Sequence, residues 1–535
     1  MSVTAPPRPR LRPGKDGFAQ LVRAEWTKFR TVRGWVIGLA VAVLLIVSLG
    51  ALTGANSACG FAPVTPRNPH PPIRACPAPP TGPGGEWVSD SFYFVRQPLR
   101  GNGSITVRVT SLTGRYSVKG KLAPTDPHAL AGAKPGVQPW SKAGIIIKAG
   151  TAPGSEYAAM VVTGIHGVRM QWNFTHDVAG LAGEVSAASP RWLRLTRSGN
   201  AVRGYDSADG VHWRLVGVAM LAKLPATAQA GMLAATPARS VTSTSLGGTS
   251  STGSPALATA TFDRLSRRGA WPGGRWTGQV VHGRTDNALP PSVQGFTVAN
   301  GRFTVSGSGD IGPAASDSAN TLEQVLGGTF AALIALVVIG VMFITAEYRR
   351  GLIRTTFTAS PRRGRVLAAK AIVLAAVTFA AALIAVTITV PLSERLLRDN
   401  GNPIFPLPAL TLLRITVGTA ALLAVAAVLA LAVGTLLRRS AAAVTAVIAG
   451  IVLPYLLAVI AGVLPAGAEE WLMRVTPAAA FAMQQAIPPF PQVDAAYTPA
   501  TGYFPLAPWA GFAVLCGWAG LFIAIAAVRL RQRDA

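Results

Sequence analysis

Six stretches of the chain carry no charged residue for long enough to cross a bilayer as helices, about 20 residues each. They are 35–53, 324–346, 371–392, 415–437, a core within 440–468, and 508–528. Between the first and second the pattern changes. From Trp87 to about Phe262, short runs alternate apolar and polar positions with turn signals at regular intervals, the pattern of an all-β sandwich. Predicted strands are 104–110, 143–148, 157–163, 168–174, 192–196 and 211–216; in the fourth, Val168, Met170, Trp172 and Phe174 share one face, opposite Arg169, Gln171 and Asn173. Asp209-Gly210 predicts a hairpin with a two-residue turn, positive φ at both positions. The Ser/Thr/Gly tract 240–254 cannot bury a core and predicts a mobile loop within the domain. The fold class read from this pattern is a polytopic α-helical membrane protein with six transmembrane helices and an inserted all-β sandwich.

The chain then divides into a basic, disordered tail 1–16, an amphipathic helix 17–33, a first transmembrane helix 34–54, a Pro-rich linker 55–86, the β-sandwich 87–270 and a juxtamembrane segment 271–320. Transmembrane helices follow at 321–346, 366–392, 411–437, 441–464 and 506–528, with a loop at 347–365, an outer segment at 469–505 and a tail at 529–535.

Charge fixes the expected orientation. Only 13% of the 535 residues are charged, 50% are apolar, and the net charge is +27, which excludes an ordinary cytosolic enzyme. With the N-terminus inside, residues 1–34, 347–370, 438–439 and 529–535 hold 20 basic and 4 acidic side chains, against 4 basic and 5 acidic in 393–414 and 469–507. The positive-inside rule thus puts both termini in the cytoplasm of a multi-pass cell-membrane protein and the β region outside the cell. Topology absorbs the basic excess, so no nucleic acid partner is expected. A charged leader of 34 residues, with Asn56 three positions before Cys59, argues against a cleaved signal sequence.

Chemistry adds little inside the chain itself. Of three cysteines, Cys59 and Cys76 lie at the Pro-rich stretch and are candidates for a disulfide on an oxidising face, with two unpaired thiols as the alternative; Cys516 sits in the last apolar run. The six histidines, at 70, 128, 166, 176, 212 and 282, lack zinc-ligand spacing. Glu86, Glu156, Asp177, Glu184, Asp206 and Asp209 show no glycosidase-type pairing. No catalytic residue, metal or cofactor is expected. Gly14-Lys15 and Gly120-Lys121 lack the spacing of a phosphate-binding loop, so any ATP hydrolysis must come from a partner.

Two resemblances follow from particular strings. The segments 140–147, 192–199 and 205–213 resemble concanavalin-like, laminin-G-type jelly rolls. That likeness implies a carbohydrate face. Trp192 is out of phase with Leu193 and Leu195 and shares its face with Arg194, so these two are the candidate glycan-binding residues, for instance toward cell-wall glycan. Trp140, Trp172 and Trp213 read as core or sheet-covering residues. On the cytoplasmic side, LVRAEWTKFRTV from Leu21 places Phe18, Leu21, Val22, Trp26 and Phe29 on roughly one side, with Arg23, Lys28 and Arg30 elsewhere. The string EYRRGLIRTT from Glu347 opens a loop with seven basic residues up to Lys370; Leu352, Ile353 and Phe357 give it an apolar stripe ending at Ser360-Pro361. A loop facing lipid headgroups is the plainer alternative.

These two strings, with six helices and a short outer segment between the fifth and sixth, resemble an ABC-2 type transporter permease of the actinobacterial kind. The resemblance implies that 17–33 is an elbow helix on the inner membrane face. It also implies a coupling loop, built from Glu347, Tyr348, Arg349, Arg350, Gly351, Arg354, Thr355, Pro361, Arg362 and Arg363, that docks in a groove of an ATPase. Implied partners are two copies of an ABC ATPase subunit, which bind the ATP, a second permease copy, identical or similar, and membrane lipids. The large outer domain departs from the family pattern and leaves the cargo open; the competing reading is a membrane-anchored glycan-binding or sensor protein that moves nothing. Arg414, at the outer end of the fourth helix, is expected as a snorkelling anchor, with a substrate ligand as the alternative. Pro454 either bends the fifth helix or is simply tolerated there.

Overall fold

The computed structural model describes residues 17–57, 76, 78–117, 130–245, 248–281, 289, 291–314, 322–352, 362–459, 464, 467–493 and 497–532. The tail 1–16, Cys59, Ile353, Arg354, Thr355, Phe357, Ser360 and Pro361 lie outside them.

The helices are α1 Phe18–Thr31, α2 Arg33–Asn56, α3 Leu322–Val325, α4 Gly328–Arg349, α5 Arg363–Asp399, α6 Ala409–Leu437, α7 Ser440–Val459, α8 Ala468–Val475 and α9 Pro508–Gln532. Among the described residues six of these, α2, α4, α5, α6, α7 and α9, are long and apolar enough to cross a membrane. Central in the bundle is α6, which packs against α4, α5, α7 and α9. Small residues let the backbones close up: a Cβ on Gly340 of α4 would meet the Ala427 carbonyl oxygen of α6 at 2.5 Å. Pro391 lies within α5, which continues to Asp399, and Pro454 is buried within α7. The expected outer segment 469–505 is more than a loop. It holds α8 and a 3₁₀ helix, Pro477–Gln484, whose eight residues are all buried against α6 and α9. The apolar sequence PAAAFAM draws that turn inward, and non-helical backbone is tolerated there because protein surrounds it.

The β domain is organised by one strand of 25 residues, Phe92–Tyr116. Its first half pairs with Thr227–Ala235 on one side and Thr277–Val281 on the other; its second half pairs with Arg191–Ser198 and Ala256–Ala270. Gly101, at φ +62°, sits between the halves. All pairings in the sheet are antiparallel, and the order runs from Arg214–Met220 through this strand to His176–Ala179. Side chains alternate between two cores. Tyr93, Val95, Ile145, Ile147, Met160 and Val162 enter the larger one, whereas Phe92, Phe94, Ile146, Tyr157 and Val161 enter a smaller one on the opposite face. Strands covered on both faces read as near-continuous apolar runs, and all seven residues of Lys142–Lys148 and of Tyr157–Thr163 are buried. The two lysines pair with carboxylates: Lys142 Nζ lies 2.7 Å from Asp310 Oδ1, and Lys148 Nζ lies 2.8 Å from Asp90 Oδ2. Burial raises the Asp90 carboxyl and lowers the Lys148 ammonium, so desolvation works against both charges of that pair.

Four readings of this region are corrected. The segment 271–320 is no simple juxtamembrane connection: Thr277–Val281, Gly295–Ala299, Arg302–Gly307 and Ile311–Pro313 are strands of the β domain. The tract 240–254 falls in an antiparallel ribbon, Arg239–Ser245 with Gly248–Ser254; such a ribbon satisfies backbone groups by mutual pairing and needs no core of its own. The hairpin at Asp209-Gly210 joins Ala201–Ser207 to Arg214–Met220, so its loop is longer than two residues and only Gly210 has positive φ. Asp209 instead accepts hydrogen bonds from the Val211 and His212 amides, the local chemistry that makes Asp a turn residue. Phe174 leaves the face of Val168 and Met170 because Asn173 and Phe174 both take positive φ, which turns its ring into the smaller core.

The β domain rests on one end of the helix bundle. Gln492 Nε2 donates to the Thr175 carbonyl at 3.1 Å, the Cys76 amide donates to Gly401 O at 2.9 Å, and the Trp87 ring lies 4.9 Å from that of Phe405.

Candidate functional site

At the opposite end of the bundle, four charged side chains from three helices form a closed ring. Lys370 Nζ, seven residues into α5, lies 2.7 Å from Glu25 Oε2 of α1 and 2.7 Å from Glu347 Oε1 near the end of α4. Lys28 Nζ lies 2.7 Å from Glu25 Oε1 and 3.3 Å from Glu347 Oε1. The sum is zero: two ammonium groups and two carboxylates alternate. Lys370 is wholly buried, with its ammonium 4.7 Å from the centroid of the Phe343 ring. Phe343 packs in turn against Phe29 and Trp35, at 5.7 and 4.9 Å between centroids. Burial opposes the Lys28 charge, but Glu25 first and then Glu347 hold its ammonium above the ordinary lysine value.

Local sequence explains how α1 reaches this ring. Val32 is extended and breaks the chain between α1 and α2, which frees α1 to fold back on the bundle. Its inward face comprises Leu21, Val22, Glu25, Lys28 and Phe29, at the three- and four-residue spacing of one helix face. Trp26 and Phe18, expected on that face, are instead exposed. Glu25 takes the inward position because a carboxylate between two lysines is satisfied there, while an exposed Trp suits a membrane interface.

The residues expected to form a coupling loop divide into two groups. Glu347 belongs to the ring. Tyr348 is half-buried, 5.1 Å from the Arg438 guanidinium, and Arg363 Nη1 donates to the Leu530 carbonyl at 2.9 Å. Arg349, Arg350 and Arg362 are exposed, and Gly351 ends the helical path at φ +66°. Arg354, Thr355 and Pro361 lie outside the described residues. Sequence reading missed Lys370 and Glu25 as partners. The available signals were an acid in the middle of an apolar stripe and a lysine at the edge of an apolar run.

In the β domain Trp192 lies on the outward face in phase with Arg194 and is half-buried. The hairpin turn covers it: a Cβ on Gly210 would meet Trp192 Cε2 at 2.6 Å, and the Arg108 guanidinium lies 5.7 Å from its ring. Arg194 stacks on Trp213 at 3.7 Å and donates to Thr106 Oγ1 at 3.1 Å. Of the sequence-expected glycan pair, therefore, each member already has an intramolecular partner. Cys76 is disulfide-bonded and Cys516 is free.

Residues 215–535 match the family model described as ABC-2 family transporter protein. No curated protein matches the chain. Among similar solved structures are a functionally unknown protein from Saccharomyces cerevisiae, with 15% identity over 38% of this chain and 86% of that chain and a TM-score of 0.22. Scytalido-glutamic peptidase with a transition-state analogue inhibitor shows 9% identity over 42% and 100%, with a TM-score of 0.25. A GH43 protein from Bacillus licheniformis shows 14% identity over 32% and 28%, with a TM-score of 0.18. Structural likeness this low carries no functional argument.

Proposed function

Because the chain belongs to the ABC-2 transporter family, we propose that it is the membrane permease subunit of an ABC exporter, powered by two copies of a separate ATPase subunit and completed by a second permease copy. The four-charge ring is the observation that carries this reading. It ties the elbow helix α1 to both helices that flank residues 353–361, the middle of the proposed coupling segment. Arg438 over Tyr348 and Arg363 on Leu530 add the α6–α7 junction and the end of α9 to the same assembly. A push on the loop is thereby delivered to α1, α4, α5 and α9 together, rather than lost in one side chain. ATP-driven closure of the ATPases shifts the bundle between two arrangements only if contacts differ between them, and a desolvated charge ring that tolerates little displacement supplies such a difference.

In this proposal the ring lies on the cytoplasmic side, and the β domain lies outside the cell over the mouth from which cargo leaves. Its antiparallel sheet and two-sided burial fit the concanavalin type that the sequence resembles, with Cys59 as the partner of Cys76. Trp192 and Arg194 are the residues on which any glycan binding there would depend.

The test is recovery of the chain from its native membranes. It should bring an ATPase subunit with it and hydrolyse no ATP when purified alone. Arg350→Glu together with Arg354→Glu should weaken that association, because both reversals fall where the ATPase would dock. A stable complex without any nucleotide-binding protein overturns the reading.

A further inference from the structure

Arg414 is held by more than the membrane interface. It lies five residues into α6, about 7.5 Å along the helix from Ala409, and its Nη2 donates to the Gln485 carbonyl just beyond the buried 3₁₀ helix. The amide on the other side of that same peptide, Ala486 N–H, donates to Glu323 Oε1. One peptide unit thus stands between arginine and carboxylate, and Glu323 balances Arg414 only from behind. In front lies a groove of ≈ 950 Å³ lined by Arg414 together with Leu413, Val417, Phe504 and Trp509. Pro488, Pro489, Pro505 and Pro508 form much of the remaining wall, and proline supplies no N–H donor. Arg414 Nε is buried without a hydrogen-bond partner among the described residues. That buried donor is itself out of a ligand's reach; what a ligand oxygen entering the groove would meet is the part of the Arg414 side chain that lines it, a guanidinium with donors to spare.

We infer that this groove binds an anionic phospholipid from the leaflet on the β-domain side, with its phosphate at Arg414 and an acyl chain along the apolar wall. Three observations favour that occupant. The groove lies between α6 and α9, both long and apolar enough to cross the membrane, so its mouth meets acyl chains. Its volume and mostly apolar lining with one placed charge fit a pocket for an amphiphile. Arg414 stands near the start of α6, at the depth of a headgroup rather than of the bilayer centre. The inference holds whether or not the chain moves cargo.

The experiment uses the full chain reconstituted with equal amounts of phosphatidylglycerol and phosphatidylcholine. Retained lipid is counted by native mass spectrometry after extraction. Phosphatidylglycerol should be retained over phosphatidylcholine by about tenfold, because both phosphates can accept from Arg414 but only phosphatidylcholine brings a choline cation into a groove whose described lining holds no carboxylate. Arg414→Gln should abolish the preference. Leu413→Trp, which fills the groove and leaves the charge in place, should lower retention of both lipids in a protein that still melts normally; it carries the test if Arg414→Gln fails to fold. Equal retention of the two lipids by the unmodified chain, or retention that Leu413→Trp leaves unchanged, overturns the inference.

Discussion

Lys370 and Glu25 are separated by 345 positions in sequence and by 2.7 Å in space. Burying either charge without the other would be costly, and together with Glu347 and Lys28 they convert an amphipathic surface helix into a fixed part of the bundle. Lys370→Met should therefore leave two buried carboxylates with one ammonium and cost about 3–5 kcal/mol. Adding Glu347→Gln restores the balance and should recover much of the loss. Melting of the purified chain, followed by tryptophan fluorescence, measures both; equal midpoints for the single and double variants would show that the ring does not hold α1.

The boundaries of the β domain predict which fragment folds. Residues 78–314 should give β-rich circular dichroism and a cooperative melt. Ending at 270 removes the strand Arg302–Gly307, which pairs with Ala256–Ala270, and removes Asp310, the partner of buried Lys142. The shorter fragment should lose cooperativity or aggregate. Identical melts for the two fragments would contradict the assignment of the last four strands.

Trp192 and Gly210 should be energetically coupled. Gly210→Ala places a Cβ 2.6 Å from the indole at φ +80°, where the backbone conformation alone costs about 1 kcal/mol. In a Trp192→Ala background the steric part vanishes, so the same change should cost less. Melting of residues 78–314 gives the cycle. A glycan array on the same fragment, with and without Trp192→Ala, asks whether this covered tryptophan also serves recognition; binding lost without any change in melting would identify a stacking platform.

His212 provides a pH test outside any buried site. The Asp209 hydrogen bond, and then its field, raise the His212 imidazole above its ordinary value. The contact therefore contributes below the ordinary imidazole value and is lost as pH rises through the raised one. An NMR titration of residues 78–314 should show a His212 midpoint above that of a free histidine, returning toward it in Asp209→Asn. Equal midpoints in the two proteins would refute the pairing.

What was legible in the sequence follows from how each element is stabilised. Lipid demands long uncharged runs, so α2, α4, α5, α6, α7 and α9 could be read directly, with ends displaced by a few residues. The strands around 143–148 and 157–163 were equally plain, because burial on two faces leaves dense apolar runs. The strands from Thr277 to Pro313 were not, since they are short, broken by Gly and Pro, and specified by pairing with residues distant in sequence. Composition likewise misled at 240–254, where backbone pairing suffices. In the site, the apolar residues of α1 suggested its role, but Glu25, Lys28 and Lys370 read singly as surface charges and acquire meaning only as a set.

The seating of the β domain has a mechanical consequence. Gly401 and Phe405 belong to the link between α5 and α6, whereas Gln492 belongs to the segment leading to α9. A body that grips both links works as a tie-bar across the bundle end. If α6 and α9 separate there, the domain must release one grip or swing with the helix it keeps. The hydrogen bond from Gln492 to Thr175 is one of those grips, and a crosslink between the two positions would hold the domain and that link in the arrangement described.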